Sequence, residues 1–306
     1  MISPGAQIDI GSLGNRPFAR TDMVLRLMAR DGAVQLVVRD ASTRRFAGLS
    51  LRSATRPTWL LPGVPDEAVI DLFALSPDGS RLLFGDPAVG RYRLSLHALA
   101  TGVGVTLPPS PGDDANAAAF APDGDRIAVL ALDDDRATVT VLDVDGGRPR
   151  PLWATEGGTS AETVVSWSPD GGFLAVTYID PEDADHTVVM DDAGTVVADI
   201  PQTAIAAGSR LGWTGDHDLL LDYEFWENDD VSPPLVLADA ATGARREVPQ
   251  RDYSGVLGAL DGRVLRFVKG GRVVSTALDG SDPQPVFDVG PDYEITFFDA
   301  IPGALG

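Results

Sequence analysis

Ser76-Pro77-Asp78-Gly79 stands between two short apolar runs, residues 72–75 and 81–84, and the same figure returns as Ala121-Pro122-Asp123-Gly124 and Ser168-Pro169-Asp170-Gly171. Two looser copies follow, Thr214-Gly215-Asp216-His217 and Ala259-Leu260-Asp261-Gly262. Their second residues fall at 77, 122, 169, 215 and 260, a period of 45 to 47 residues. Five copies at near-constant spacing are an internal repeat, and a period in this range belongs to repeat architectures such as propellers.

Each copy is a turn by its own chemistry. Proline presets φ at the first corner, aspartate hydrogen-bonds locally, and glycine accepts a positive φ. Apolar strand-like runs lie on both sides, so the turn joins two antiparallel strands. A second turn recurs downstream, at Ala100-Thr101-Gly102, Asp145-Gly146-Gly147, Asp192-Ala193-Gly194, Ala241-Thr242-Gly243 and Asp279-Gly280, again between strand-like runs. Each period therefore carries four strands, a to d. One such sheet cannot bury both faces alone, but a ring of them can, which predicts an all-β fold, a β-propeller of four-stranded antiparallel blades.

Five blades are expected near residues 68–112, 113–159, 160–205, 206–250 and 251–290. A sixth is assembled from both termini: runs 23–28, 34–39 and 46–51 read as strands b, c and d, and 293–298 as strand a. The ring closes with residues 291–306 beside 21–60, which removes the open edge. Residues 1–20 are read as an extension or linker, and 21–306 as a single six-bladed domain.

Ser-Pro-Asp-Gly between apolar strands, with Asp and Gly in the following hairpin, resembles the WD-type repeat of TolB-like six-bladed propellers. The resemblance covers nearly the whole sequence, with the fourth and fifth copies departing from the pattern. It implies architecture far more than function, because propellers host binding, scaffolding and hydrolysis alike. The α/β domain of TolB itself has no counterpart in these residues, so its particular role does not carry over.

Composition narrows the partners. Lys and Arg number 24 against 45 Asp and Glu, a formal net charge of −21. Phosphate backbones and anionic lipid are bound through basic patches, so neither nucleic acid nor an anionic membrane is expected as a partner. The absence of cysteine removes disulfides, thiolate chemistry and zinc ribbons. The first residues show neither a basic segment nor an apolar core of a leader, so the sequence as written reads as cytoplasmic; removal of a leader or anchor would make it extracytoplasmic.

With strand a innermost, the b–c and d–a connections share the upper face. The b–c connections hold residues 133–135, 180–186 and 227–230, rich in acid, and the d–a connections add Asp113, Asp114, Glu162, Asp252 and Asp292. This gives an acidic upper face suited to a basic protein or peptide partner. Asp183, Asp185, His186, Asp229 and Asp230 are its candidate contacts, with Trp226, Tyr253 and Tyr293 as aromatic anchors. Trp167 and Trp213, at equivalent repeat positions, are expected to pack between blades.

Six residues before each motif's second position stand Asp71, Asn116, Thr163, Ser209 and Ser254, with Glu294 in the corresponding C-terminal register. All are polar, and Asp71, Asn116 and Glu294 are hard oxygen donors of the kind Ca²⁺ takes. Calcium-dependent lactonase propellers are similar in placing carboxylate and amide ligands there, so the second functional expectation is a Ca-dependent hydrolase or lyase with its ion in the channel. No nucleophile elbow and no metal-spaced histidines accompany it, and no catalytic residue is assigned. The leading expectation is a non-catalytic binding or scaffold module, without a cofactor.

Overall fold

The computed structural model describes residues 19–31, 34–50, 69–86, 93–108, 115–133, 136–156, 163–182, 184–206, 211–223, 235–248, 253, 255–268 and 270–304. Among these, strands form six antiparallel sheets of four, and no described residue is helical. Blade 1 comprises β4 (Val69–Leu75), β5 (Arg81–Asp86), β6 (Arg93–Ala98) and β7 (Gly104–Thr106). Blade 2 is β8 (Ala115–Phe120), β9 (Arg126–Asp133), β10 (Arg136–Asp143) and β11 (Arg150–Glu156). Blade 3 is β12 (Val164–Trp167), β13 (Phe173–Ile179), β14 (Asp185–Asp191) and β15 (Val196–Pro201). Blade 4 is β16 (Thr203–Ile205), β17 (Asp218–Tyr223), β18 (Leu235–Asp239) and β19 (Arg245–Val248). Blade 5 is β20 (Gly255–Leu260), β21 (Arg263–Val268), β22 (Arg272–Thr276) and β23 (Gln284–Asp288). Blade 6 joins β24 (Tyr293–Ala300) to β1 (Thr21–Ala29), β2 (Val34–Asp40) and β3 (Phe46–Ser50), so the C-terminal strand is its innermost member.

The repeated tetrapeptide shows why these residues turn. Ser168 Oγ donates to Asp170 Oδ1 at 2.6 Å and accepts from Phe173 N at 2.9 Å, while Gly171 N donates to Ser168 O at 2.9 Å. Ser76, Asp78 and Arg81 repeat the arrangement, with Ser76 Oγ 2.6 Å from Asp78 Oδ1 and 2.9 Å from Arg81 N. In blade 2, Ala121 replaces the serine and only the backbone and aspartate bonds remain. Gly79 adopts φ of +69° and lies against the start of β1, where a Cβ would come 2.4 Å from Thr21 O.

Strand alternation places one apolar row on each side of every blade. The buried side chains accordingly separate into six clusters, one at each seam between neighbouring blades. Along β1, Met23, Leu25 and Leu27 face blade 5, while Val24 faces Phe73, Leu75 and Phe84 of blade 1. Polar links cross the same seams: Leu75 N donates to Asp299 Oδ2 at 2.9 Å, and Ala259 N donates to Leu211 O at 2.5 Å.

Closure of the ring rests on β1–β24 pairing, with Leu25 opposite Phe298 and Met23 opposite Ala300. A buried ionic group reinforces it. Arg39, fully buried, places Nε 2.6 Å from Asp22 Oδ1 and Nη2 2.5 Å from Ala304 O, and Arg44 Nη1 reaches both Asp22 and Ala304 O.

Blade 4 departs from the repeat pattern, in which an apolar strand stands directly before each a–b turn, here at 211–213. That stretch makes one isolated bridge, Trp213 to Leu219, and Gly212 O accepts from Leu220 N at 2.6 Å. The strand proper is β16, one residue after β15, with Gln202 between them at φ of +57°. Blade 3 holds β16 in place: Thr187 Oγ1 donates to Thr203 O at 2.7 Å and Ile205 N donates to Thr177 Oγ1 at 3.0 Å. The inner position of this blade is thus shared between two pieces.

Candidate functional site

The a–b turns and the residues just before them converge on the lower face. Pro77 comes from blade 1, Phe120 and Pro122 from blade 2, Trp167 and Pro169 from blade 3, and Leu211, Trp213, Thr214, Gly215 and Asp216 from blade 4. Blade 5 supplies Ala259, Leu260, Asp261 and Gly262, and blade 6 supplies Ala300 and Pro302. These residues enclose a cavity of about 310 Å³. A space lined by all six blades has to lie on the ring axis, and one lined by the a–b turns has to lie at its lower end. Pro169, Asp216, Asp261, Gly262 and Pro302 are exposed, so the cavity opens outward as a funnel.

Its wall is mostly apolar, with few polar groups, which is the usual make-up of a binding pocket of this size. Prolines recur because each motif contributes one. Two indoles stand in the wall, both nearly buried. Trp213 Nε1 donates to Ser166 O at 3.4 Å, tying blade 4 to blade 3. Trp167, 4% exposed, has no acceptor for Nε1 among the described residues. A buried donor left unpaired costs about 1–3 kcal/mol. Arg126 lies 5.1 Å from the Trp167 ring and pairs with Asp123 at 2.8 Å.

The lower face also carries much of the chain's acid, for a local reason. Asp40, Asp78, Asp123, Asp170, Asp191, Asp239 and Asp279 each accept a hydrogen bond from a backbone N–H two to four residues on. Partial burial pushes the Asp78 carboxyl up, but hydrogen bonds from Ser76 and Ser80 and the Arg81 charge outweigh it and bring it down to about 2. The Ser168 hydroxyl lowers Asp170, and the Thr242 hydroxyl lowers Asp239.

Of the upper-face residues singled out from the sequence, Trp226, Asp183, Asp229 and Asp230 lie outside the described residues. Tyr293 is half-buried against the blade 5–6 cluster. Tyr253 donates its hydroxyl to Gly280 O at 3.1 Å, with Arg266 5.0 Å from its ring, so it packs along blade 5. Asp185 is buried at the start of β14. His186 is held by two carboxylates: Nδ1 lies 3.4 Å from Asp180 Oδ2, and Nε2 contacts Asp199 Oδ1. Its ring stacks on Tyr178, 5.6 Å between centroids, and Tyr178 meets Trp153 of blade 2. Burial and the neighbouring Asp199 charge raise the Tyr178 hydroxyl. This histidine is therefore an element of a packed inter-blade group.

Of the three proposed calcium ligands, Asp71 lies in β4 with its side chain outside the described residues. Asn116 Oδ1 accepts from Leu132 N at 2.9 Å, and Glu294 is exposed on β24. Among the described residues, no three His, Asp or Glu side chains gather to hold a metal. The sequence reading placed no site at the lower funnel; the recurring Pro beside two repeat-equivalent tryptophans was its only signal.

No protein-family model matches the sequence, and no curated protein does. Solved structures do match. TolB from Acinetobacter baumannii superposes with a TM-score of 0.57 at 16% identity, over 94% of this chain and 68% of that one. Hydrazine synthase from Kuenenia stuttgartiensis gives 0.56 at 16%, covering 88% and 80%. An oligogalacturonate lyase in complex with manganese gives 0.52 at 15%, covering 88% and 74%. The likeness is one of fold, a six-bladed β-propeller that TolB shares.

Proposed function

We propose that the chain is a non-catalytic binding module that takes a peptide segment of a protein partner in its axial funnel. One observation carries the reading: an open, mostly apolar cavity to which all six blades contribute side chains. A peptide suits it because apolar side chains can fill the indole- and proline-lined depth while the backbone amides stay toward the exposed mouth at Asp216, Asp261 and Gly262. The acidic upper face enters as a second contact surface for the same partner. The metal-dependent hydrolase or lyase reading, to which the manganese-bound lyase lends a shared fold, has no support from Asn116 or Glu294 as they are placed.

The test fills the funnel. Thr214, half-exposed in its wall, is changed to Trp, and heptapeptides selected from a random library on the unaltered protein are titrated against both forms by calorimetry. The expected result is a loss of about tenfold or more with Thr214→Trp, with unchanged circular dichroism and melting. Peptides that bind both forms equally place recognition elsewhere and overturn the funnel.

A further inference from the structure

The funnel's walls are apolar, but its charged lining is one-sided. Among the described lining residues the only charged side chains are Asp216 and Asp261, both exposed, one from blade 4 and one from blade 5. Asp261 receives Gly303 N through both oxygens, at 3.0 and 3.2 Å, and keeps the rest of its acceptor capacity outward. Asp216 makes no hydrogen bond or ion pair among the described residues.

The three arginines that directly follow a–b turns are already engaged. Arg126 pairs with Asp123 and covers Trp167, Arg81 donates to Gly124 O at 3.3 Å, and Arg263 binds Asp282 and Ser275. None of them belongs to the lining. Phe120, Trp167, Leu211, Trp213 and Leu260 provide the apolar depth below this acidic rim.

We infer that the funnel's occupant is a basic–apolar peptide segment, its apolar side chains against the indole and proline walls and an Arg or Lys at the rim between Asp216 and Asp261. This rests on the binding reading above and adds its charge preference. An acidic segment meets two carboxylates on a chain of net charge −21, whereas a basic one is both steered and held.

Three acetylated, amidated hexapeptides of sequence Leu-Phe-X-Leu-Phe-X, with X as arginine, glutamine or glutamate, decide the matter by calorimetry at low and high salt. The arginine peptide is expected to bind about fivefold or more tighter than the glutamine peptide at low salt, with the margin shrinking as salt rises. The glutamate peptide is expected to bind weakest. In the double variant Asp216→Asn/Asp261→Asn the arginine peptide falls to the level of the glutamine peptide, which itself is unchanged. If the glutamine or glutamate peptide binds the unaltered protein as well as the arginine peptide, or the double variant keeps the margin, the charge preference is overturned while the funnel stands. If none of the three binds, the funnel reading fails and the inference with it.

Discussion

A single hydroxyl separates the turns of blades 1 and 3 from that of blade 2. Ser76 and Ser168 each fasten the motif aspartate and the first residue of the next strand, and both are fully buried. Ala121 occupies the same place, also fully buried, and makes neither bond. Ser168→Ala leaves Phe173 N and Asp170 each short of a partner, and is expected to cost about 1–2 kcal/mol. Ala121→Ser supplies both bonds in a space its two counterparts already accept, with an expected gain of about 0.5–1.5 kcal/mol. Urea unfolding at constant m-value measures both. A neutral Ser168→Ala beside a destabilising Ala121→Ser would show that the hydroxyl contributes nothing. The turn itself was legible beforehand, since Pro, Asp and Gly announce it through their own backbone preferences, whereas the part of the serine hydroxyl was not.

At the scale of elements, the informative contrast is between β24 and β16. The pairing of β24 with β1 could be foreseen because 293–298 is a strand-like run left over after five repeats, and the N-terminal blade lacked its innermost strand. β16 could not, because what holds Thr203–Ile205 is the pair of hydroxyls of Thr177 and Thr187, side chains some 16 to 28 residues away on another blade. Local pattern carries no trace of such contacts. Closure also depends on Asp22, whose carboxylate meets buried Arg39. Asp22→Asn leaves that guanidinium without its counter-charge and is expected to destabilise by about 3–5 kcal/mol. Removing both charges with Asp22→Leu/Arg39→Met is expected to cost less than Asp22→Asn, because the fully buried charge is gone and only Arg44, whose side chain is partly exposed, loses a partner. Chemical unfolding of the single and double variants separates the two costs; a double variant worse than Asp22→Asn would mean that the pair itself, with its bond to Ala304 O, is the source of the stability.

For the whole molecule, neither the funnel nor the distribution of charge could be read from the sequence. Each blade gives the funnel only a few side chains, and nothing in one repeat says that the six sets meet. Charge was legible as a sum but not in its use: many aspartates outside the expected upper face serve as turn caps, and within that face Asp180 does so too, accepting from Glu182 N and Ala184 N. Their hydrogen bonds hold Asp78 at about 2 and keep Asp40, Asp170, Asp180, Asp239 and Asp282 below the ordinary value of 3.8. For groups lowered by folding, the unfolded chain binds the proton first, so their contribution is complete above pH 3.8 and is lost as pH falls through the folded values. A second effect runs the other way. Protonating unengaged carboxylates relieves the self-repulsion of a chain at −21 before the caps titrate. Melting temperature is therefore expected to hold or rise from pH 7 to about pH 5, then to drop between about pH 4 and pH 2. Asp78→Asn, which cannot titrate, is expected to start lower at pH 7 and to shallow that final drop. Melting curves taken across the range decide it, and a drop already complete above pH 5 would assign acid sensitivity to groups other than the capping aspartates.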